Sequence, residues 1–500
     1  MIKNIVIVGG GSSGWMAAAG LNRVLNKDYN ITLVESEEIG IIGVGEATIP
    51  SIVRFNYGLG IDEIEFIKET KATFKLGIEF INWARKGDTY IHGFSKLGTE
   101  FDGPDFQHYW LSAQNPNTYN TLDKYSVNSA MIRSGKFIGP IKDNLNSPLA
   151  DISYAYQFDA QLYAKFLRKL SESRGVKRVE GKIINVLQKL DGSIDTLELE
   201  NGLKVSGDFF IDCSGFRGLL IEQTLKSGYE DWSHWLPCDT AIAVPCTPSG
   251  QVKPLTTCTA HSAGWQWRIP LQHRTGNGHV FSSKYMSSDE ATSILLENLD
   301  GEPLADPRTV KFVPGIRKQT WIKNCVSLGL ASGFIEPLES TSIHLVIRGI
   351  SKLGDFFPRS ALDQVDIDQY NKEISYEYAH IRDFIILHYH ATERTDSDFW
   401  NYVRKMQIPE TLNNKMSLYK SNARVIRDSN DFFGLPSWVQ VMAGQRIVPK
   451  SYHPLVDLTS KERTKAFLDN VENVIQEFVG QMPAHEEYLN KILKDTRCGS

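Results

Sequence analysis

The 500-residue sequence predicts an α/β (α+β) fold with an inserted antiparallel sheet and a mostly helical C-terminal region. Three observations support this fold class. Residues 2–8 form a nearly continuous apolar run, typical of a strand buried on both faces of a parallel sheet, and a glycine-rich turn then leads to a helical segment at Trp15. Short runs that alternate between apolar and polar residues fill 238–325, and the pattern is mostly helical from Ser340 onward.

The elements in between are predicted from caps, periodicity and turn residues. The last long helix should start at Thr459, because Glu462 then completes a capping box. In chain order, the other elements are a strand over 31–34, a helix over 62–74, a strand over 76–80, an insertion without periodicity over 87–150, a helix over 159–174, strands over 176–200 and a strand over 209–213.

Composition excludes several classes of protein. A hydrophobic fraction of 41% is enough for a sizeable core, which argues against disorder. With 54 basic and 59 acidic residues, no charge excess indicates nucleic acid or an anionic membrane as a partner. No apolar run reaches the roughly 18 residues of a membrane helix, and the N-terminal run suggests a strand and not a signal peptide. The six cysteines include no C-x-x-C pair, so we expect a cytoplasmic protein with free thiols.

A glycine motif follows the first predicted strand. Gly9, Gly11 and Gly14 match G-x-G-x-x-G between a strand and a helix, the context in which this motif binds a dinucleotide. The first glycine allows the tight turn, the second lets the backbone approach a pyrophosphate, and the third allows close helix packing. The alternative is a glycine-rich turn without a ligand. Because the sequence contains one such motif, we expect one bound dinucleotide and a separate source of reducing power.

The residues that flank this motif narrow the choice of dinucleotide. Ser12 and Ser13 open the helix, where backbone N–H groups face the phosphates. Glu35 ends the second strand and is placed to accept hydrogen bonds from a ribose. Because a carboxylate disfavours a phosphorylated ribose, the sequence predicts FAD or NAD and not NADP.

Two further motifs carry a family resemblance. One is GWQWRIP at Gly264–Pro270, which contains W-x-W-x-I-P, and the other is GFIEPLEST at Gly333–Thr341. Together they resemble the flavin-dependent halogenases of the tryptophan halogenase type. The resemblance extends over most of the chain, including Gly43–Pro50, Phe209–Leu219 and Ser437–Asp457. It implies an FAD-binding α/β body over 1–340 and a mostly helical region over 341–500 that covers the substrate site.

The resemblance also implies a reaction and its participants. In the family, a separate NADH-dependent flavin reductase supplies FADH2, and oxygen converts it to a C4a-hydroperoxyflavin. Halide then yields hypohalous acid, which travels through an internal tunnel to a lysine beside an electron-rich aromatic substrate. That lysine corresponds to Lys75, and the family's glutamate to Glu339. Without the resemblance, Lys75 is a lysine at a helix–strand junction and Glu339 an acid before a helix start, where it would interact with the helix dipole.

Other site residues are expected from the same resemblance. Trp265 and Trp267, with Pro270, would form a wall near the flavin; on periodicity alone the two tryptophans are core aromatics. The remaining expectations are a halide site at Ser340, Thr341 and Ser342, flavin contacts at Ala47 and Gly333, a loop acid at Glu46 that links the flavin and substrate sites, and a substrate border at His92 and Phe94. The family often has glycine in place of Ser342, which leaves the halide preference open.

Departures from the family bear on the substrate. The chain contains no Tyr-Tyr pair of the kind that clamps free tryptophan, so we expect an indole- or phenol-like aromatic, with bromide accepted. We expect no metal site, because the pair His388 and His390 lacks a third ligand at a suitable spacing. A homodimer is our working expectation. The rival hypotheses are a flavin-dependent monooxygenase of the same fold and a non-catalytic flavin-binding protein.

Overall fold

The computed structural model of the chain describes residues 2–25, 28–38, 45–114, 122–141, 147–358, 361–428 and 430–494. Residues 43 and 44 of the segment Gly43–Pro50, which carries part of the family resemblance, lie outside these residues. The helices are α1 (Ser12–Val24), α2 (Ser51–Gly58), α3 (Glu63–Thr70), α4 (Phe106–Ser112), α5 (Val127–Arg133), α6 (Ala160–Ser173), α7 (Ser288–Glu297), α8 (Ser342–Asp355), α9 (Gln364–His390), α10 (Asp398–Lys405), α11 (Glu410–Asn422), α12 (Leu435–Gly444), α13 (Lys461–Gly480) and α14 (His485–Lys494).

The strands are β1 (Asn4–Val8), β2 (Asn30–Glu35), β3 (Gly45–Ala47), β4 (Thr73–Lys75), β5 (Gly77–Ile81), β6 (Thr89–Gly93), β7 (Ala155–Asp159), β8 (Lys177–Glu180), β9 (Ile183–Gln188), β10 (Ile194–Leu199), β11 (Lys204–Ser206), β12 (Phe209–Asp212), β13 (Tyr229–Asp231), β14 (Thr240–Cys246), β15 (Thr256–Ala260), β16 (Gly264–Pro270), β17 (Thr275–Phe281), β18 (Arg308–Lys311), β19 (Gly315–Arg317), β20 (Trp321–Ile322), β21 (Cys325–Ser327) and β22 (Gly333–Phe334).

Contacts within the chain separate it into two compact units, each built from three segments. Unit 1 comprises Met1–Ala72, Phe158–His234 and Lys311–Ala379, and unit 2 comprises Thr73–Gln157, Trp235–Val310 and His380–Ser500. Both units draw on residues before and after position 340, so this division differs from the sequence-based one at that position. Strand pairing over long sequence separations, and not chain order, defines the units.

Unit 1 contains a six-stranded sheet in the order β20-β21-β12-β1-β2-β8. All neighbouring strands are parallel except β20, which runs antiparallel to β21. Residues 5–8 of the central strand β1 are buried, as the apolar run predicts. Val8, the last residue of β1, pairs with Val34 on one side and with Asp212 on the other. The ends of β1, β2 and β12 therefore meet at one edge, where the glycine motif begins.

Unit 2 contains a seven-stranded sheet in the order β18-β14-β17-β16-β15-β5-β6. The predicted antiparallel arrangement is confirmed for β14 to β17, whereas β15 and β5 pair in parallel. The rest of 238–325 is not one sheet. It includes the helix α7, capped by Ser287, and the strands β19 to β21, which belong to unit 1. Their short alternating runs resemble those of the larger sheet, so periodicity could not separate them.

Three predicted boundaries need correction. The helix predicted over 62–74 is α3, which ends at Thr70; Lys71 adopts a left-handed conformation with φ of 54° and turns the chain into β4. The segment 87–150 is more than an insertion, since β6 pairs with β5 at the edge of the sheet. The last long helix starts one residue later than predicted. The side chain of Ser460, and not that of Thr459, accepts the hydrogen bond from the Arg463 N–H and caps the helix.

No helix in the described part of the chain is long and apolar enough to cross a membrane. Five cysteines in that part are free thiols, namely Cys213, Cys238, Cys246, Cys258 and Cys325.

Candidate active site

The glycine loop, Gly9–Gly14, connects β1 to α1 in unit 1. Gly9 has φ of 108°, and a Cβ there would lie 2.3 Å from the carbonyl oxygen of Cys213, so a side chain is excluded on both grounds. By contrast, a Cβ on Gly11 would meet no protein atom within 4 Å. No side chain caps α1 at Gly11, and its first turn carries no acidic residue. The loop therefore leaves open space beside uncapped helix N–H groups, which fits the pyrophosphate of a dinucleotide.

Glu35 lies next to this loop. A Cβ on Gly10 would be 1.4 Å from Glu35 Oε2. Gly10 stands at a variable position of the G-x-G-x-x-G motif, and its lack of a side chain leaves room for the Glu35 carboxylate. Glu35 Oε1 accepts a hydrogen bond of 2.5 Å from Arg178 Nε and lies 3.6 Å from Arg168 Nη1. Burial disfavours the charged form of Arg178, but the hydrogen bond and charge of Glu35 outweigh it and raise the arginine pKa. The sequence carried no motif for these two arginines, which orient the predicted ribose acceptor.

Asp212, at the end of β12, is a further residue that sequence reasoning missed. It is fully buried, and its carboxylate accepts hydrogen bonds from the N–H groups of Ser214, Leu220 and Ile221 at 2.7–2.9 Å. These bonds order the turn after β12, which includes the Cys213 carbonyl that packs against Gly9. Asp212 therefore shapes the edge of unit 1 that holds the glycine loop.

The predicted halide residues lie where β22 leads to α8. Ser340 has φ of 58° and ends a short 3₁₀ turn over Pro337–Glu339. Thr341 stands at the N-cap of α8 without a capping hydrogen bond from its side chain. Thr341 is fully buried, and its Oγ1 has no hydrogen-bond partner among the residues that the structure describes. An anion at the start of α8 would accept hydrogen bonds from the Thr341 hydroxyl and from the backbone N–H groups of the helix.

Glu339 and Glu336 are both fully buried in this segment, although only Glu339 was predicted as a site residue. Gly333 has a structural reason to be glycine, since a Cβ would lie 2.5 Å from the carbonyl oxygen of Gly315 in the neighbouring strand β19. That contact accounts for Gly333 without a cofactor. Its role as a flavin contact stays a prediction.

Glu46 and Ala47 form β3 in unit 1 with Gly45. Glu46 is partly buried, and burial raises its pKa to about 7. The carboxyl group is therefore poised to change its protonation state near neutral pH. Ala47 is buried, and its predicted contact with the flavin stays a prediction.

Lys75 is the last residue of β4 in unit 2, a strand that we call the lysine strand. Its side chain is fully buried, and Nζ lies 5.5 Å from the centre of the Phe94 ring. The N–H of Phe94 donates to the Leu76 carbonyl at 3.0 Å, which fixes the two segments against each other. His92 lies two residues away on β6, with its ring 6.3 Å from that of Phe94. The structure thus brings Lys75, His92 and Phe94 together, and their catalytic and substrate-binding roles stay predictions.

Further aromatic rings surround this group within unit 2. The ring centre of His92 lies 5.7 Å from that of Phe384 and 6.2 Å from that of Phe433, and the two phenylalanines stack at 3.8 Å. Neither phenylalanine was predicted, because both lie about 300 residues further along the chain. The surroundings of Lys75 are therefore rich in flat apolar faces, which suit an aromatic substrate.

The W-x-W-x-I-P segment forms β16 at the centre of the unit 2 sheet. Trp265 is fully buried and its ring lies 6.1 Å from that of Trp267. The ring of Trp267 covers Gly278 of β17, where a Cβ would be 2.1 Å from it. The structure thus places both tryptophans as core aromatics of unit 2, the reading that periodicity alone favoured. Their role as a wall near the flavin stays a prediction.

Pro270 ends the same strand and contacts the lysine strand. Its carbonyl oxygen accepts a hydrogen bond of 2.7 Å from Thr73 Oγ1, two residues before Lys75. Gln157 Nε2 donates to Thr73 Oγ1 at 3.2 Å. The W-x-W-x-I-P segment therefore helps to position Lys75 through the backbone carbonyl of Pro270. The side chains of the motif gave no indication of this role.

His485 supports the lysine strand from α14. Its Nε2 accepts the Phe74 N–H at 3.3 Å, and its Nδ1 donates to the Val252 carbonyl at 2.7 Å. The ring is fully buried, and burial lowers its pKa to about 4. Neutral His485 is thus a positioning residue for the strand that carries Lys75. No sequence signal marked it, because it lies 411 positions from Phe74.

The histidines considered for a metal bind other partners. His388 Nδ1 is hydrogen-bonded to Tyr90 at 2.7 Å, and His390 Nδ1 donates to the Val403 carbonyl. His380, Asp428 and Asp431 form a separate group whose nitrogen and carboxylate oxygen atoms lie within 4.8 Å of one another. The ammonium of Lys415 lies 2.8 Å from Asp431 and supplies positive charge to this group.

Comparison with known proteins assigns the chain to a family. The sequence model of the tryptophan halogenase family matches residues 4–461. The tryptophan 6-halogenase ThaL of Streptomyces albogriseolus is 34% identical over 459 residues, 87% of this chain and 85% of that protein. Among solved structures, the flavin-dependent halogenase Xcc4156 of Xanthomonas campestris is 46% identical with a TM-score of 0.95, covering 98% of each chain.

A second solved structure is BrvH, a flavin-dependent halogenase from Brevundimonas sp. BAL3. It is 41% identical with a TM-score of 0.94, and the match covers 98% of this chain and 99% of BrvH. With the glycine loop in unit 1 and the buried lysine in unit 2, these matches show that the chain is an enzyme of the flavin-dependent tryptophan halogenase family.

Proposed function

We propose that this enzyme halogenates an electron-rich aromatic compound and that Lys75 delivers the halogen. The observation that carries the proposal is the position of Lys75: its side chain is fully buried, with the ammonium 5.5 Å from the centre of the Phe94 ring. In such a water-poor environment, a hydrogen bond from an ammonium is stronger than in water. The family relationship supports FAD, oxygen and halide as the other participants.

When bound, reduced FAD supplies hypohalous acid together with oxygen and a halide ion. Lys75 donates a hydrogen bond to the oxygen of this acid and so makes the halogen more electrophilic. An electron pair of the aromatic ring forms the carbon–halogen bond while the oxygen–halogen bond breaks, and the oxygen leaves as water with the Lys75 proton. Alternatively, the neutral amine carries the halogen as a haloamine, which requires the same residue.

We assign the removal of the ring proton to Glu339, whose carboxylate would also stabilise the positive charge on the halogenated ring. Its complete burial supports this role, because a carboxylate in a low-dielectric site interacts strongly with a nearby cation. We place the halide at Ser340, Thr341 and Ser342, because Thr341 occupies the N-cap of α8 and its buried hydroxyl has no hydrogen-bond partner among the described residues. We expect bromide to be accepted, because it is easier to oxidise than chloride.

We propose an indole- or phenol-like substrate and not free tryptophan, although the relative ThaL is named as a tryptophan 6-halogenase. The single Phe-Trp pair in the sequence, Phe399–Trp400, is fully buried, and Trp400 Nε1 donates to the His261 carbonyl at 2.7 Å. It is therefore engaged in the core of unit 2. We further propose a separate NADH-dependent flavin reductase, a cytoplasmic location and a homodimer.

The test is an assay with FAD, NADH, a flavin reductase, oxygen and either indole or tryptophan. Chloride, bromide and iodide are supplied separately, catalase removes hydrogen peroxide, and mass spectrometry identifies the products. We expect halogenated indole with bromide, and we expect Lys75→Met to lower the rate at least about a hundredfold while FAD still binds. The matched control is Lys96→Met, which removes an exposed lysine from the same unit.

Halogenated indole formed by Lys75→Met at the wild-type rate would contradict the role of Lys75. Hydroxylated indole without halogen would instead indicate the monooxygenase. If tryptophan is halogenated faster than indole, the proposed substrate class is wrong while the reaction stands.

A further inference from the structure

Unit 2 contains a cavity of about 630 Å³ that the proposed halogenation does not use. The end of α9, the helices α10 and α11 and the segment 445–450 form its walls. We call it the basic cavity, because four cationic side chains line it, with Glu393 as its one carboxylate: Arg404, Lys420, Arg446 and Lys450. In a chain with a net charge of −5, such a concentration of positive charge requires an explanation.

Three of these cations have no acidic partner in the described part of the chain. Arg404 donates from Nη2 to Asn401 at 3.3 Å, and its buried Nε has no hydrogen-bond partner there. The backbone N–H of Lys450 donates to the Lys420 carbonyl at 2.8 Å, so the two lysines leave adjoining positions of the backbone. Neither ammonium forms an ion pair with a described residue.

The one carboxylate of the cavity is already engaged. Glu393 pairs closely with Arg85 and lies 3.9 Å from Arg446 Nε. His390, which also lines the cavity, has a lowered pKa, mainly because it is buried and in part because Lys420 is near. Arg446 also lies 3.5 Å from Asp88, so the cavity cations without an acidic partner among the described residues are Arg404, Lys420 and Lys450. Their combined positive potential would attract an anion into the cavity.

We propose that the basic cavity binds a small molecule that carries a phosphoryl group. Its volume lies within the roughly 300–1,000 Å³ of small-molecule sites. A guanidinium offers paired N–H donors that match phosphate oxygens, and two lysines add the charge that a phosphoryl dianion needs. A ligand with only one carboxylate group would leave much of the positive charge of the cavity unmatched. The proposal is independent of the halogenation reaction.

Isothermal titration calorimetry with inorganic pyrophosphate tests this site. The protein is first saturated with FAD, so that the glycine loop is occupied and cannot bind the probe. Ribose 5-phosphate and uncharged ribose serve as a second pair of probes, and sodium chloride as the control for ionic strength. We expect saturable one-to-one binding of pyrophosphate and ribose 5-phosphate, and none of ribose.

The variant Lys420→Gln/Lys450→Gln removes two charges from the cavity and should weaken pyrophosphate binding at least about tenfold. The matched control is Lys461→Gln/Lys491→Gln, which removes two exposed lysines from α13 and α14, helices that do not line the cavity, and should bind as the wild type does. Equal affinity of both variants, or no saturable binding by the wild type, would overturn the proposal. Because all four lysines are exposed, unchanged melting temperatures are expected and should be verified.

Discussion

The glycine loop of unit 1 and the lysine strand of unit 2 differ in how far along the chain their parts lie. The glycine loop consists of consecutive residues between β1 and α1, and it packs against Cys213 and Glu35. The lysine strand has three residues and depends on Phe94, Pro270, Gln157 and His485. A ligand site made of backbone can thus be predicted from a motif, whereas a buried side chain depends on packing that sequence spacing does not describe.

The largest expected effect is on stability, and it distinguishes Gly9 from Gly11 in the glycine loop. Gly9→Val should destabilise unit 1 by about 3–5 kcal/mol, because an unfavourable φ and a steric overlap each cost about 1–3 kcal/mol. Gly11→Ala should leave the unfolding free energy of the FAD-free protein unchanged, since its Cβ meets no protein atom, but should weaken FAD binding at least about tenfold. Urea denaturation and FAD fluorescence titration measure the two effects. Normal FAD affinity of Gly11→Ala would show that the open space is not a ligand site.

The second prediction tests the support of the lysine strand through its pH dependence. The folded pKa of His485, about 4, lies below the ordinary 6.5, so the unfolded chain binds more protons between these values. Stability should therefore fall as the pH decreases from 6.5 to 4, by about 3 kcal/mol from this residue. His485→Asn should remove that part of the slope, measured as urea unfolding free energies at pH 7, 6, 5 and 4.

The same variant should lower the halogenation rate at pH 7 and leave FAD affinity unchanged, because His485 contacts the lysine strand and not the glycine loop. If halogenation by His485→Asn equals that of the wild type, the histidine stabilises unit 2 without positioning Lys75.

The smallest expected effect has the opposite pH dependence and lies in unit 1. Burial raises the pKa of Glu46 to about 7, so the folded protein keeps a proton that the unfolded chain loses near pH 4.5. Stability should therefore fall as the pH rises from 4.5 to 7. Glu46→Gln should be more stable than the wild type by about 2 kcal/mol at pH 8, with no gain at pH 4. Glu69→Gln, at an exposed position of α3, is the control for charge removal.

Thermal unfolding at pH 4, 6 and 8 measures this difference between Glu46→Gln and its control. Equal shifts in the two variants at pH 8 would show that burial does not raise the pKa of Glu46.

The sequence predicted elements well where local patterns dominate. The first strand, the turn and the helix after it are confirmed, because a buried parallel strand and a glycine turn both leave local signals. The ends of α3 and the start of α13 were misplaced by one to four residues, since the hydrogen bonds at helix ends depend on the surrounding chain. The strands β19 to β21 were grouped with the wrong sheet, because alternation reveals a strand but not its partner.

The sequence by itself determined the glycine loop, the adjoining acid Glu35 and membership of the halogenase family, because motifs of consecutive residues encode these features. It also indicated Lys75, but only through resemblance. The tertiary structure decided that Lys75 is buried beside Phe94, that His485 and the Pro270 carbonyl support its strand, and that uncompensated cations meet in one cavity. These features arise from residues up to 411 positions apart, and only folding brings such residues into contact.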